Sequence, residues 1–145
     1  MLALVCGMAV GIHAQRESGA SKPEVPLVSV VGCASRAPDG TWMLINATAG
    51  TETRQVFSST KEIDEAKKQK PGSNRYRLMG TTDFLSKEEL LKDEVRRQFT
   101  RPEVANATGQ LQNGKKLVVK GLLITAPNEK RLNLVSVQQL SDTCK

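Results

Sequence analysis

Hydrophobic positions in this chain recur mostly at every second residue, in runs separated by glycine, proline, asparagine and aspartate. That period belongs to strands, whose successive side chains point to opposite faces. Residues 27–34 (LVSVVGCA) form the first such run, and Gly32 inside it marks a bulge or a sharp bend. Ala37-Pro38-Asp39-Gly40 is a turn, with proline suited to its second position and glycine to its last. In the run 41–48 (TWMLINAT), alternation places Trp42, Leu44 and Asn46 on one face and Met43, Ile45 and Ala47 on the other. Residues 75–80 (RYRLMG) alternate strictly, with Tyr76 and Leu78 facing one way and Arg75, Arg77 and Met79 the other. A fourth strand is expected over 116–125 (KLVVKGLLIT), again with an internal glycine, Gly121. After Pro127-Asn128 comes a fifth, in which Leu132, Leu134, Ser136 and Gln138 alternate with Asn133, Val135, Val137 and Gln139.

Two segments break the two-residue period. Residues 49–73 are polar and charged, close on Pro71-Gly72 and read as a loop insertion; within it Ser59-Thr60-Lys61-Glu62 resembles a capping box that would start one short helix through Lys68. The main helix is expected over 87–99, with Ser86 as N-cap, Glu89 completing a capping box and Leu85 stapled to Leu90. Leu91, Val95 and Phe99 continue its apolar stripe, and Pro102 ends it. Three strands, a helix and two further strands, with glycines in the first and fourth, is the order of an OB-fold. The expected architecture is therefore mainly β, a five-stranded OB-like barrel with one helix between strands three and four. An SH3-like barrel lacks the long amphipathic helix, and a β-sandwich needs about seven strands.

The beginning of the chain, MLALVCGMAVGIHAQ, is apolar from Leu2 to Ile12, and Ile12-His13-Ala14 resembles a small-residue cleavage site. Residues 1–14 are read as a signal peptide, 15–26 as a flexible leader and 27–145 as a single barrel domain. The apolar run is too short to span a bilayer, which takes about 20 residues. No later segment is apolar enough to act as a transmembrane anchor once the signal is removed. No Lys or Arg precedes the apolar run, which leaves open whether Met1 is the true start, and Val5 before Cys6 does not suit a lipoprotein anchor. Export to the periplasm or beyond is expected. Removal of the signal takes Cys6 away and leaves Cys33 and Cys144, an even number in an oxidising compartment, and these are expected to pair. Neither lies in a C-x-x-C motif, so zinc and thioredoxin-like chemistry have no local support.

Composition sharpens this picture in two respects. Hydrophobic residues make up 39% of the 145 but aromatics only 3%, so one core built from Val, Leu and Ile is expected, which favours strands. The net charge of +6 comes from 21 Lys and Arg against 15 Asp and Glu, none of them in the first fifteen residues. The mature domain is basic, which biases its encounters toward anions, although an excess of lysine also serves solubility alone.

Val30-Val31-Gly32-Cys33 early in the chain and Ser141-Asp142-Thr143-Cys144 at its end are accompanied by two further segments, Leu44-Ile45-Asn46-Ala47-Thr48 and Tyr76-Arg77-Leu78-Met79-Gly80. In these segments the chain resembles small exported OB-like proteins of environmental bacteria, which carry a V-x-G-C strand and a terminal S-x-T-C. It is more distantly similar to periplasmic OB-fold stress proteins. The resemblance spans roughly residues 28–144 and implies a compartment and a fold, with no catalytic residues to carry over.

The residues offer little chemistry. The single histidine, His13, leaves with the signal, which removes Ser–His and Cys–His pairs and the commonest zinc ligand. Glu88, Glu89, Asp93 and Glu94 are interleaved with Lys87, Lys92, Arg96 and Arg97 at helical spacing, the pattern of a solvated, ion-paired face. No carboxylate lies in an expected strand to form a glycosidase pair, and no P-loop, G-x-G-x-x-G or EF-hand pattern occurs. No enzymatic activity, cofactor or metal is expected. Asn46-Ala47-Thr48 and Asn106-Ala107-Thr108 match the N-glycosylation pattern, which in a bacterial-looking protein reads as accidental. Trp42 and Tyr76 read as core residues in preference to a stacking pair for bases or sugars.

If Tyr76 and Leu78 point into the barrel, Arg75 and Arg77 must point outward beside Met43. OB-folds meet ligands on this outer face of strands two and three and on two flanking loops, which here carry Arg36, Lys130 and Arg131, with Asp39 and Glu129 at the rim. The expected ligand site is thus Arg36, Met43, Arg75, Arg77, Lys130 and Arg131. The expected function is a non-catalytic binding module for an anionic envelope component, a lipid or a polysaccharide. The alternative is a single-stranded nucleic-acid-binding OB domain, which export makes the weaker reading because few nucleic acids are met there.

Overall fold

A computed structural model of the chain describes residues 25–86 and 110–145. Its elements are β1 (Leu27–Arg36), β2 (Trp42–Ala47), β3 (Thr51–Glu52), α1 (Thr60–Lys68), β4 (Asn74–Met79), β5 (Lys116–Thr125) and β6 (Lys130–Ser141), with a 3-10 turn at Thr81–Phe84. Five long strands follow the order β2-β4-β6-β5-β1, and β1 pairs again with β2 to close the barrel; the two-residue β3 is added beside β1. Every pairing is antiparallel except that of β4 with β6, which is parallel. The protein is thus mainly β, an OB-like five-stranded barrel with one extra strand. Its single α-helix among the described residues lies between β3 and β4. This is the short helix that Ser59 caps. The helix expected over 87–99 lies outside the described residues, as do the signal peptide and residues 15–24 of the leader.

Inward-facing side chains of all five long strands fill one core, among them Val30, Leu44, Tyr76, Val119 and Leu132. Trp42 and Tyr76 belong to it, 4% and 2% exposed, so both aromatics are packing residues. The Tyr76 hydroxyl donates to the Thr48 carbonyl at 3.2 Å, and burial pushes its pKa up. Closure depends on Gly32, where a Cβ would come within 2.7 Å of Leu44 Cγ and 2.9 Å of Ala47 Cβ. Strand β2 crosses β1 so closely there that only hydrogen fits.

Among the described residues, three register shifts depart from the simple alternation, one of them at the end of β6, where Lys116 pairs with Ser141 and Leu117 with Gln139. In β2 the register shifts between Leu44 and Ala47, and Asn46 takes φ = 48°, a left-handed backbone that asparagine tolerates. The extra residue exposes Asn46 and buries Ala47, so Asn46 does not share the face of Trp42 and Leu44. In β6 a shift opposite Lys120 and Gly121 resets the phase. Leu132, Leu134 and Val137 therefore belong to the core, while Ser136 faces away from it.

Insertion 49–73 is more than a loop. It contributes β3, which pairs Val28 with Glu52 and Ser29 with Thr51, and α1. Glu52 is therefore a strand-borne carboxylate, contrary to the expectation that the strands carry none. On the outer wall of the barrel, Ala66 and Ile63 of α1 pack against Val31, Val118 and Leu140 as a second, smaller core. This cover explains why β5 is buried on both faces from Lys116 to Gly121.

Candidate functional site

Cross-strand register assembles one row on the outer face of the barrel. Met43 pairs with Arg77 across β2–β4, Arg77 with Arg131 across β4–β6, and Arg131 with Ile124 across β6–β5. Register partners share a face, so the four side chains leave the barrel side by side in the order Met43, Arg77, Arg131, Ile124. Arg75, two residues before Arg77, is exposed on the same face, and so is Met79 two residues after it.

The charge on this row is not bare. Glu129, in the connection from β5 to β6, directs Oε1 toward both arginines: Arg77 Nη1 lies 4.0 Å away, and Arg131 meets the same oxygen through Nε and Nη2. All three side chains remain partly exposed, at 43% for Arg77, 40% for Arg131 and 35% for Glu129. At the other rim the Asp39 carboxylate accepts from the Thr41 amide at 2.9 Å. Hydrogen bonds from Thr41 hold its pKa below the usual carboxylate value, and the Arg77 charge adds to the effect.

Of the six expected site residues, Met43, Arg77 and Arg131 share the row and Arg75 flanks it. Arg36 and Lys130 do not join them. Arg36 pairs with Trp42 in the β1–β2 register, and its guanidinium lies 5.8 Å from the centroid of that ring. Lys130 Nζ lies 5.8 Å from the Tyr76 ring centroid and 3.2 Å from Asn74 Oδ1. Both cations lie over the rings of buried aromatics at strand ends.

Cys33 and Cys144 form the expected disulfide, with a Cα separation of 5.8 Å, and tie the end of the chain to β1. Among the described residues, no three His, Cys, Asp or Glu side chains converge as metal ligands. No helix among them is long and apolar enough to cross a membrane.

Lys116, Lys120 and Ser136 stand out in the structure and were not singled out in the sequence. Lys120 is fully buried; its ammonium donates to the Phe57 carbonyl at 3.0 Å and to Glu62 Oε1 at 3.1 Å. Lys116 donates to the carbonyls of Lys67 and Gln69 at the C-terminal end of α1, and Ser136 to that of Val56. These contacts fasten the insertion to the β1–β5–β6 wall. A signal existed: Lys116 and Lys120 share the phase of Val118 in an otherwise apolar strand, the mark of a covered outer face.

Between α1 and the β1–β3 edge lies a cleft of about 310 Å³ whose lining includes Ser29, Thr48, Glu52, Glu62 and Glu65. Three carboxylates make it a poor host for an anion. No family model, curated protein or solved structure matches the chain.

Proposed function

We propose that the protein is an exported, non-catalytic binding module that holds an anionic component of the cell envelope, a lipid or a polysaccharide, on the outer face of β2, β4 and β6. The observation that carries this reading is the Met43–Arg77–Arg131 row with Arg75 beside it. The insertion covers the outer side of β1, β5 and the part of β6 that holds Ser136 and Leu140, and leaves the face with Arg131 open among the described residues. Guanidinium groups suit the purpose, being permanently charged and shaped to bind carboxylate and phosphate oxygens in pairs.

Export is supported by the signal-like residues 1–14 and by the formed Cys33–Cys144 disulfide, a bond that persists in oxidising compartments. Trp42 and Tyr76, which a nucleic-acid-binding OB domain would use to stack bases, are buried in the core, and this weighs against that alternative. The test is co-flotation with phosphatidylglycerol vesicles, and retention on acidic oligosaccharides, by the wild type and by Arg75→Glu/Arg77→Glu. The double variant is expected to fold, because exposed charges contribute little stability, and to lose binding. A folded double variant that binds as before, with the same salt dependence, overturns the assignment of this face.

A further inference from the structure

We infer that Arg77 and Arg131 form a seat for the phosphate of an anionic lipid headgroup, and that Glu129 occupies this seat as an internal competitor in the free protein. The inference rests on the proposed anion-binding face and adds to it both the ligand chemistry and the residue that regulates access.

Arg77 and Arg131 are register partners on adjacent parallel strands, so their guanidinium groups emerge next to each other from one face. Two such cations repel unless an anion lies between them, and a single oxygen of Glu129 supplies that anion by facing both. A carboxylate in that position stands where a phosphate oxygen would. It neutralises one of two positive charges, and it is replaceable: its side chain is more than one-third exposed on a short connection, and exposed ion pairs hold weakly. The backbone of that connection is closed by the Ala126 amide donating to the Glu129 carbonyl at 2.9 Å, so the side chain can swing away without unfolding the turn.

The flanks of the arginine pair favour a lipid surface over a polysaccharide. Met43 and Ile124 end the row, Met79 lies on the same face of β4, and Ile124 and Met79 are 42% and 38% exposed. Apolar side chains bordering paired cations match the boundary between headgroup phosphates and acyl chains, where each kind of side chain gains from a different layer. Glu129 offers nothing to those apolar side chains, so a membrane displaces it with contacts the competitor lacks.

Calorimetric titration with inorganic phosphate, together with flotation on phosphatidylglycerol and phosphatidylcholine vesicles, distinguishes the bare site from the lipid surface. Glu129→Gln keeps the length of the side chain and removes its charge. It is expected to bind both phosphate and phosphatidylglycerol vesicles about tenfold more tightly at low salt, as removal of one charge at contact distance implies. Adding Arg131→Gln to this variant should abolish the gain. Glu129→Ala is the second variant should glutamine disturb the turn, and it is expected to show the same gain. Wild-type binding that depends on Arg75 and Arg77 but is unchanged in Glu129→Gln overturns the competitor and leaves the face intact. Tighter binding by Glu129→Gln to an acidic oligosaccharide, but not to phosphatidylglycerol vesicles, overturns the lipid assignment. Absence of binding by wild type and variant alike to phosphate, vesicles and oligosaccharide overturns the anion-binding face itself.

Discussion

Lys120, wholly buried on the outer side of β5, places its ammonium 3.1 Å from the Glu62 carboxylate in the first turn of α1. Glu62 also completes the capping box, accepting the Ser59 amide at 2.7 Å through its other oxygen. One carboxylate thus starts the helix and fastens it to the barrel. Removing that charge leaves a buried ammonium with the Phe57 carbonyl as its firm partner and weakens the reciprocal half of the capping box, while the Ser59 hydroxyl still accepts the amide of residue 62. Glu62→Gln is expected to cost about 1–2 kcal/mol in urea unfolding, less than a fully buried pair because Glu62 is partly exposed. Lys120→Met, which removes the buried charge and keeps the volume, should cost less than Glu62→Gln.

The same pair sets an acid limit on stability. Chiefly the Ser59 amide, and after it Lys120, hold the Glu62 carboxyl below its ordinary pKa. A group whose folded pKa is depressed stabilises the fold above its unfolded pKa and loses that contribution as pH falls through the folded value. The thermal midpoint should therefore hold steady from neutrality to about pH 5 and fall below roughly pH 4.3. Glu62→Gln should fall less steeply over the same range in a calorimetric series.

Cys33 and Cys144 close a loop with a sequence separation of 111. Constraint of so long a loop in the unfolded chain is worth on the order of 4–5 kcal/mol at most. The double serine variant should lose about 3–5 kcal/mol in denaturant unfolding. Intact mass after alkylation without reductant should show neither cysteine modified.

Barrel closure at Gly32 gives a further expectation. A methyl group there would overlap Leu44 Cγ, and both neighbours belong to fully packed strands. Gly32→Ala should destabilise the domain by about 1–3 kcal/mol, read as a lowered urea midpoint.

Much of the barrel was legible because strands report their two faces locally. Tyr76 and Leu78 inward, Arg75 and Arg77 outward, and Met43 beside Arg77 follow from the two-residue period and the order of the strands. Gly32 and Gly121 also stand out in the chain, but neither breaks its strand: β1 pairs with β5 without a shift through Gly32, and the shift at Gly121 puts the extra residue in β6. Three features were not. The phase reset at Asn46 depends on one backbone angle that its neighbours do not signal. The docking of the insertion joins Lys120 to Glu62 across 58 positions and Lys116 to Lys67 across 49, and no local pattern names a partner at that distance. Arg77 and Arg131 are expected on one face with Glu129 at its rim, but their direct pairing and the single Glu129 oxygen facing both depend on the parallel β4–β6 register, which no local pattern gives.

The most direct test of the anion-binding face is where on the barrel an anionic lipid acts. In a titration of ¹⁵N-labelled protein with phosphatidylglycerol bicelles at low salt, amide shifts should concentrate at Met43, Arg75, Arg77, Ile124 and Arg131 and fade as salt screens the charges. Shifts confined to the carboxylate-lined cleft around Ser29, Thr51 and Glu65, or no salt-dependent shift on β4 and β6, would contradict the account.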